Sequence, residues 1–187
     1  MRVSDLLRQE HHNILRTLNV LERMADGVNH AQPIDAKNAR DIVALLKGFA
    51  DRHHQGKEEA VLFPALLRDP HQEHYSDLCS LIFEHDQERS LIDGLEEAIE
   101  TRNTKEFLFC ANRIVEATRI HIHGEDTGLL HLTDSILSPM DDERIATELR
   151  EFEHSWQVEV LPGLLRRLDE LELAYNRAVH PESATAC

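Results

Sequence analysis

Histidine and glutamate stand four residues apart twice in this chain, as His54-Gln55-Gly56-Lys57-Glu58 and as His121-Ile122-His123-Gly124-Glu125. On a helix that spacing puts an imidazole and a carboxylate on one face, one turn apart, with Cβ atoms about 6 Å from each other. Two such groups can reach a common metal ion. Ahead of each pair lies an isolated Glu-His step on an apolar stripe, Glu10-His11 before the first and Glu84-His85 before the second. The chain writes one phrase twice: a lone histidine, then His-x-x-x-Glu.

If the four stripes meet, one core layer contains His11, His54, Glu58, His85, His121 and Glu125. A buried polar group without a partner costs roughly 1–3 kcal/mol, and two facing ionised carboxylates cost more. Divalent or trivalent cations resolve this, with carboxylates bridging two ions and imidazoles in terminal positions. A nitrogen and oxygen donor set without thiolate suits iron or manganese, with zinc and copper as alternatives. One histidine on an apolar stripe is ordinarily a hydrogen-bonded core residue. Four of them, two followed by a carboxylate one turn later, ask for more than that. His12, His53 and His123 fall off the inner stripes and read as surface or supporting residues. Glu10 and Glu84 belong either in solvent or behind the ligands as orienters. Because one residue turns a helix by roughly 100°, His12 is an alternative to His11, and Glu59 to Glu58.

Helices must carry these residues. Ser4 reads as an N-cap with Asp5 in the first turn, and Leu7, His11, Ile14, Leu18, Leu21 and Ala25 then follow at helical steps until Gly27 and Asn29. A second helix starts near Asp35, its inner face reading Val43, Leu46, Ala50, His54, Glu58, Val61 and Ala65, with Pro64 expected to loosen its last turns. The third runs from about His74 to Glu100, lined by Leu78, Leu81, Ile82, His85, Ile92, Leu95 and Ile99. The fourth, capped by Thr104, shows Phe107, Cys110, Ile114, Ala117, His121, Glu125, Gly128, Leu132 and Ile136, and stops at Ser138-Pro139. A fifth, long amphipathic helix is expected from about Asp142 to Ala178 with Phe152, Trp156, Val160, Leu164, Leu168 and Leu171. No stretch alternates as a strand does. Short connections make sequential helices antiparallel neighbours. The fold class is therefore all-α, an up-down four-helix bundle over residues 1–140, an additional C-terminal helix over 141–180 packed on it, and a flexible tail over 181–187.

At 187 residues the chain is long enough to bury one substantial core. Its formal net charge of −15 repels phosphate backbones and anionic lipid, so neither nucleic acid nor membrane is an expected partner. Cys79, Cys110 and Cys187 form no C-x-x-C and no paired framework, and the start shows no signal-peptide apolar core. A cytoplasmic location is expected.

The ordered set of Glu10-His11, His54-x-x-x-Glu58 ahead of Leu62-Phe63-Pro64, Glu84-His85, and His121-x-x-x-Glu125 resembles the hemerythrin-like (HHE cation-binding) proteins over about residues 4–138. That resemblance implies an up-down bundle around two non-haem iron ions, oxo- or hydroxo-bridged, with manganese or zinc as lesser options. His11, His54, His85 and His121 would then be terminal ligands, and Glu58 and Glu125 the bridges. The function it implies is binding of oxygen or a related small ligand, nitric oxide or peroxide, for sensing, storage or stress response. The alternatives are a di-iron enzyme that decomposes peroxide or reduces nitric oxide, and an iron-responsive regulatory module, with a homodimer through the C-terminal helix as a further expectation. Oxygen-carrying members place a second histidine one turn from the first on the third helix. Here those positions are Leu81 and Arg89, so one ion is expected to be more open, or to use water or another side chain. The second copy also ends in Leu130-His131 rather than Phe-Pro, and His131 lies away from the ligand layer.

Overall fold

The structure, a computed structural model, describes residues 1–68, 75–154 and 160–179. Every regular element among them is helical. The first, α1 (Val3–Asn29), buries Leu7, His11, Ile14, Leu18, Leu21 and Ala25 along one face. Arg2 rather than Ser4 is its N-cap, and the Ser4 hydroxyl is buried, donating to Asp134 Oδ1 at 2.7 Å. The helix passes through Gly27 and ends at Asn29, where Ala31 turns the chain with a φ of 63°.

Asp35 caps α2 (Ala36–Leu45), accepting the Asn38 N–H at 3.1 Å. The rod continues as π-helical stretches over Leu46–Gln55 and Glu58–Leu62 and closes in α3 (Phe63–Leu66). Pro64 sits in the first turn of α3, where a missing N–H is least costly. Then come α4 (Tyr75–Glu100) and α5 (Thr104–Gly124). Asn103, not Thr104, caps α5 by accepting the Glu106 N–H. The α5 rod also passes through a π-helical stretch, Glu125–Leu129, into α6 (Leu130–Ile136). Around the bundle α1 packs on α2 and α5, and α4 packs on α2 and α5, which closes a ring of four rods in up-down order.

The π-helical turns move the buried face. A π-turn bonds residue i to i+5 and is often found at functional sites. Each residue therefore turns the chain by less than the roughly 100° of an α-helix. After Glu58 the buried residues are Leu62, Phe63 and Leu66 rather than the expected Val61 and Ala65. After Glu125 they are Leu129, Leu130 and Thr133 rather than Gly128, Leu132 and Ile136. Both copies shift by the same single residue, so the repeat is structural as well as sequential. On α4 the correction is different: Ile82, expected inside, is 39% exposed, and Glu88 is buried in the inner face.

Two apolar clusters flank the polar layer. The larger gathers Leu18, Leu21, Ile42, Leu95 and Ile114, and the smaller gathers Leu7, Leu62, Phe63, Leu130 and Leu149. The expected fifth helix appears as α7 (Pro139–His154) and α8 (Val160–Val179), and Trp156 and the tail from Pro181 lie outside the described residues. Both helices pack on the α1 and α2 rods, α7 against α1 and the Glu58–Leu62 stretch, α8 against α1 and α2. Leu168 and Leu171 of α8 are buried in the larger cluster. Leu168→Ala is therefore expected to destabilise the chain by about 2–5 kcal/mol, the usual cost of a buried leucine, measured as a shift in the denaturant midpoint. Among the described residues no helix is long and apolar enough to cross a membrane.

Candidate metal centre

Each of the four rods delivers one histidine to the same level of the core. His11, His54, His85 and His121 are all buried, and Glu58 and Glu125 are fully so. Two sets of donors result: His11, His54, Glu58 and Glu125, and Glu58, His85, His121 and Glu125. Within each set the ligand atoms lie within 4.8 Å of one another. Both carboxylates belong to both sets, while each histidine pair belongs to one. The pairs match in shape as well. The His11 and His54 rings meet edge-on at 4.7 Å and 75°, and those of His85 and His121 at 4.8 Å and 70°.

A ring of carboxylates outside the donors fixes how the imidazoles point. His54 Nδ1 donates to Glu10 Oε2 at 3.0 Å, and His85 Nδ1 to Glu59 Oε1 at 2.8 Å. His121 Nδ1 donates to Glu84 Oε2 at 2.7 Å, and His11 Nδ1 to Asp126 Oδ1 at 2.9 Å. Each rod thus holds the histidine of the next, from α1 to the α2 rod to α4 to α5 and back to α1. An ionised carboxylate only accepts hydrogen bonds, so the proton sits on Nδ1 and every Nε2 turns its lone pair inward. Outer carboxylates of this kind set the tautomer and basicity of metal-bound histidines. Glu10 and Glu84 are these orienters. Glu59, the alternative to Glu58, is half-buried and serves His85, and Asp126, which the sequence does not single out, serves His11.

The inward atoms have no other partners. Among the described residues, His11 Nε2, His54 Nε2 and both oxygens of Glu58 and Glu125 are buried without a hydrogen bond. His85 Nε2 and His121 Nε2 face each other at 3.1 Å. Two lone pairs at that distance need a cation or a proton between them. Without a metal, protons take that place. Burial and the neighbouring Glu125 push the Glu58 carboxyl well above its ordinary range. Burial also pushes Glu125 up, but His11 and His121 outweigh it and hold that carboxyl far below normal. Burial disfavours charge on His121, yet the Glu125 carboxylate 3.3 Å from its Nε2 raises its imidazolium to about 10. Burial, against the pull of Glu10 and with the neighbouring His11 acting in the same direction as burial, takes His54 down to about 4. This donor set fits metal cations, and all four inward nitrogens and four inward oxygens find a use in one.

The neighbours explain the rest. His53, expected off the inner stripe, is buried, its Nε2 donating to Glu10 Oε1 at 3.2 Å. Lys57 is buried against the same carboxylate. Burial works to raise Glu10, but His53, His54 and Lys57 together keep it ionised far below the usual carboxylate range. Glu10→Gln keeps the shape but weakens the grip on His54, and is expected to lower metal affinity by about 10–100-fold, read by competition with a chromophoric chelator. Arg89, one of the two positions a turn from His85, clamps Glu59 at 2.6 Å and Asp51 at 2.8 Å. His12 and His123 are exposed, and so is His131. One buried group was missed from the sequence. Glu88 accepts from Gln55 Nε2 at 2.7 Å, its other oxygen is unpartnered, and burial pushes its carboxyl above the ordinary range. It lies three residues after His85, on the same helix face, a spacing that the His-x-x-x-Glu pattern does not cover.

In comparison with known families, the model of the hemerythrin HHE cation-binding domain matches residues 2–132. No curated protein and no solved structure matches the chain.

Proposed function

The chain belongs to the hemerythrin HHE cation-binding family, and from that we propose that it is a non-haem di-iron protein binding oxygen, nitric oxide or peroxide for sensing, storage or stress response. One observation supports this above the others: two donor sets that share both carboxylates and divide the four histidines evenly. Such a set suits a pair of ions with His11 and His54 on one, His85 and His121 on the other, and Glu58 and Glu125 between them. Nitrogen and oxygen donors without thiolate favour iron or manganese over softer choices. Iron would supply a redox couple and exchangeable coordination positions for a small ligand. The protein's part is to present neutral imidazoles in one tautomer, to hold the carboxylates dry between apolar layers, and to keep bulk water out.

A second reading, turnover of peroxide or nitric oxide, draws on Glu88. A buried carboxyl near His121 whose affinity for a proton is raised by burial is suited to relay one during reduction of a bound ligand. The absorbance spectrum of anaerobically reduced, iron-loaded protein separates the two. Bands that appear with oxygen or nitric oxide and vanish on evacuation support reversible binding. Bands that persist, with sustained consumption of peroxide or nitric oxide and loss of rate in Glu88→Gln, support the enzyme. No spectral response to any of the three ligands contradicts both.

A further inference from the structure

The two halves of the donor layer are alike in geometry but not in what covers them. On the α1 and α2 side, α7 and α8 press against the bundle. A Cβ added at Gly56 would lie 3.3 Å from Phe152, and one at Gly48 only 2.8 Å from Leu164. Lys57, buried with Glu10, fills the space beside His54. The α4 and α5 side differs. A cavity of about 520 Å³ runs between α4 and the α5 rod, walled by Leu81 and Leu132, with His121 and Glu125 in its lining. Gly124 and Gly128 also line it, one helical turn apart, and a Cβ at either would meet nothing within 4 Å.

We infer that this cavity is the entry pocket of the centre, admitting a small uncharged molecule to the ion held by His85 and His121 rather than to the one held by His11 and His54. The inference rests on the dinuclear reading above and adds direction to it. Glycines are unfavourable inside a helix, yet Gly124 ends α5 and Gly128 lies in the π-helical stretch, with no close contact to explain either. What they provide is an open wall next to two donor residues. Apolar walls suit an uncharged guest. Asp77 and Glu84 in the lining, with the net charge of −15, disfavour an anion. The buried, unpartnered oxygens of Glu125 belong to a residue of the cavity lining.

The double variant Gly124→Leu/Gly128→Leu tests this, with Gly163→Leu on α8, equally free of close contacts, as the control. Xenon binding to the metal-free protein, followed by 129Xe NMR, reads the cavity without iron. Nitric oxide association with reduced iron-loaded protein, by stopped flow, reads the route. The double variant is expected to lose the xenon shift and to bind nitric oxide about tenfold more slowly or worse, because leucine must move aside for entry, while its iron content stays at the wild-type value. The control should match wild type in both. An unchanged nitric oxide rate in the double variant overturns the route, and an unchanged xenon shift overturns the cavity as its mouth. A wild-type protein that binds iron but shows no nitric oxide band contradicts the function proposed above instead, and the xenon result still decides whether the cavity exists.

Discussion

Glu125→Ala is expected to abolish loading of both metal ions, whereas His11→Ala abolishes loading of one. The difference follows from the donor sets. Glu125 contributes to both, with Oε2 at 3.2 Å from His11 Nε2 and Oε1 at 3.3 Å from His121 Nε2. His11 contributes to one. Loss of an outer carboxylate costs about 10–100-fold in affinity, and loss of a shared inner donor must cost each ion more than that. Glu58→Ala should repeat the Glu125 result, since Glu58 stands 3.7 Å from His54 Nε2 and 3.6 Å from His85 Nε2. Elemental analysis of desalted protein measures all of this. If Glu125→Ala retains one full equivalent, the carboxylate is a terminal ligand and the bridging assignment is wrong.

Metal removal should lower the melting temperature substantially. The metal-free core holds two facing carboxylates and inward imidazoles without hydrogen-bond partners, a cost that cations remove on binding. At free metal about a hundred times Kd, linkage adds about 2.7 kcal/mol to folding stability. A chain of this size gains about 2–4 °C per kcal/mol, so Tm should rise by about 5–11 °C on loading. Differential scanning calorimetry with and without chelator gives the value. Equal melting temperatures would mean that the donors do not act as a folding-coupled site, and would remove the physical basis for an iron-responsive module.

The bundle and its six inward donors were legible because burial and chemistry coincide on one helical stripe. His11, His54, Glu58, His85, His121 and Glu125 each fall at core spacing, and polar residues at core spacing are informative. The π-helical turns were not legible. Nothing in Glu58-Glu59-Ala60-Val61-Leu62 or Glu125-Asp126-Thr127-Gly128-Leu129 announces a wider turn, and stripes counted at α-helical steps slip by one residue beyond each glutamate. The outer carboxylates were half visible. Four of the six inner donors have an acid beside them in sequence, as Glu10-His11, Glu58-Glu59, Glu84-His85 and Glu125-Asp126. Which histidine each acid serves depends on the neighbouring rod, so one chain's periodicity does not reveal it. Glu88 was passed over because helical neighbours lie three as well as four residues away. Caps at Ser4 and Thr104 failed for a local reason. Ser4 finds Asp134 across the bundle, and Asn103, one residue earlier than Thr104, already accepts the amide that a cap must satisfy.

Anaerobic titration of the metal-free protein with ferrous iron, counting tightly bound ions per chain, tests the dinuclear assignment most directly. Two ions per chain are predicted, falling to one in His11→Ala and to none in Glu125→Ala. A single ion in the wild-type chain, unaffected by loss of Glu125, would contradict it.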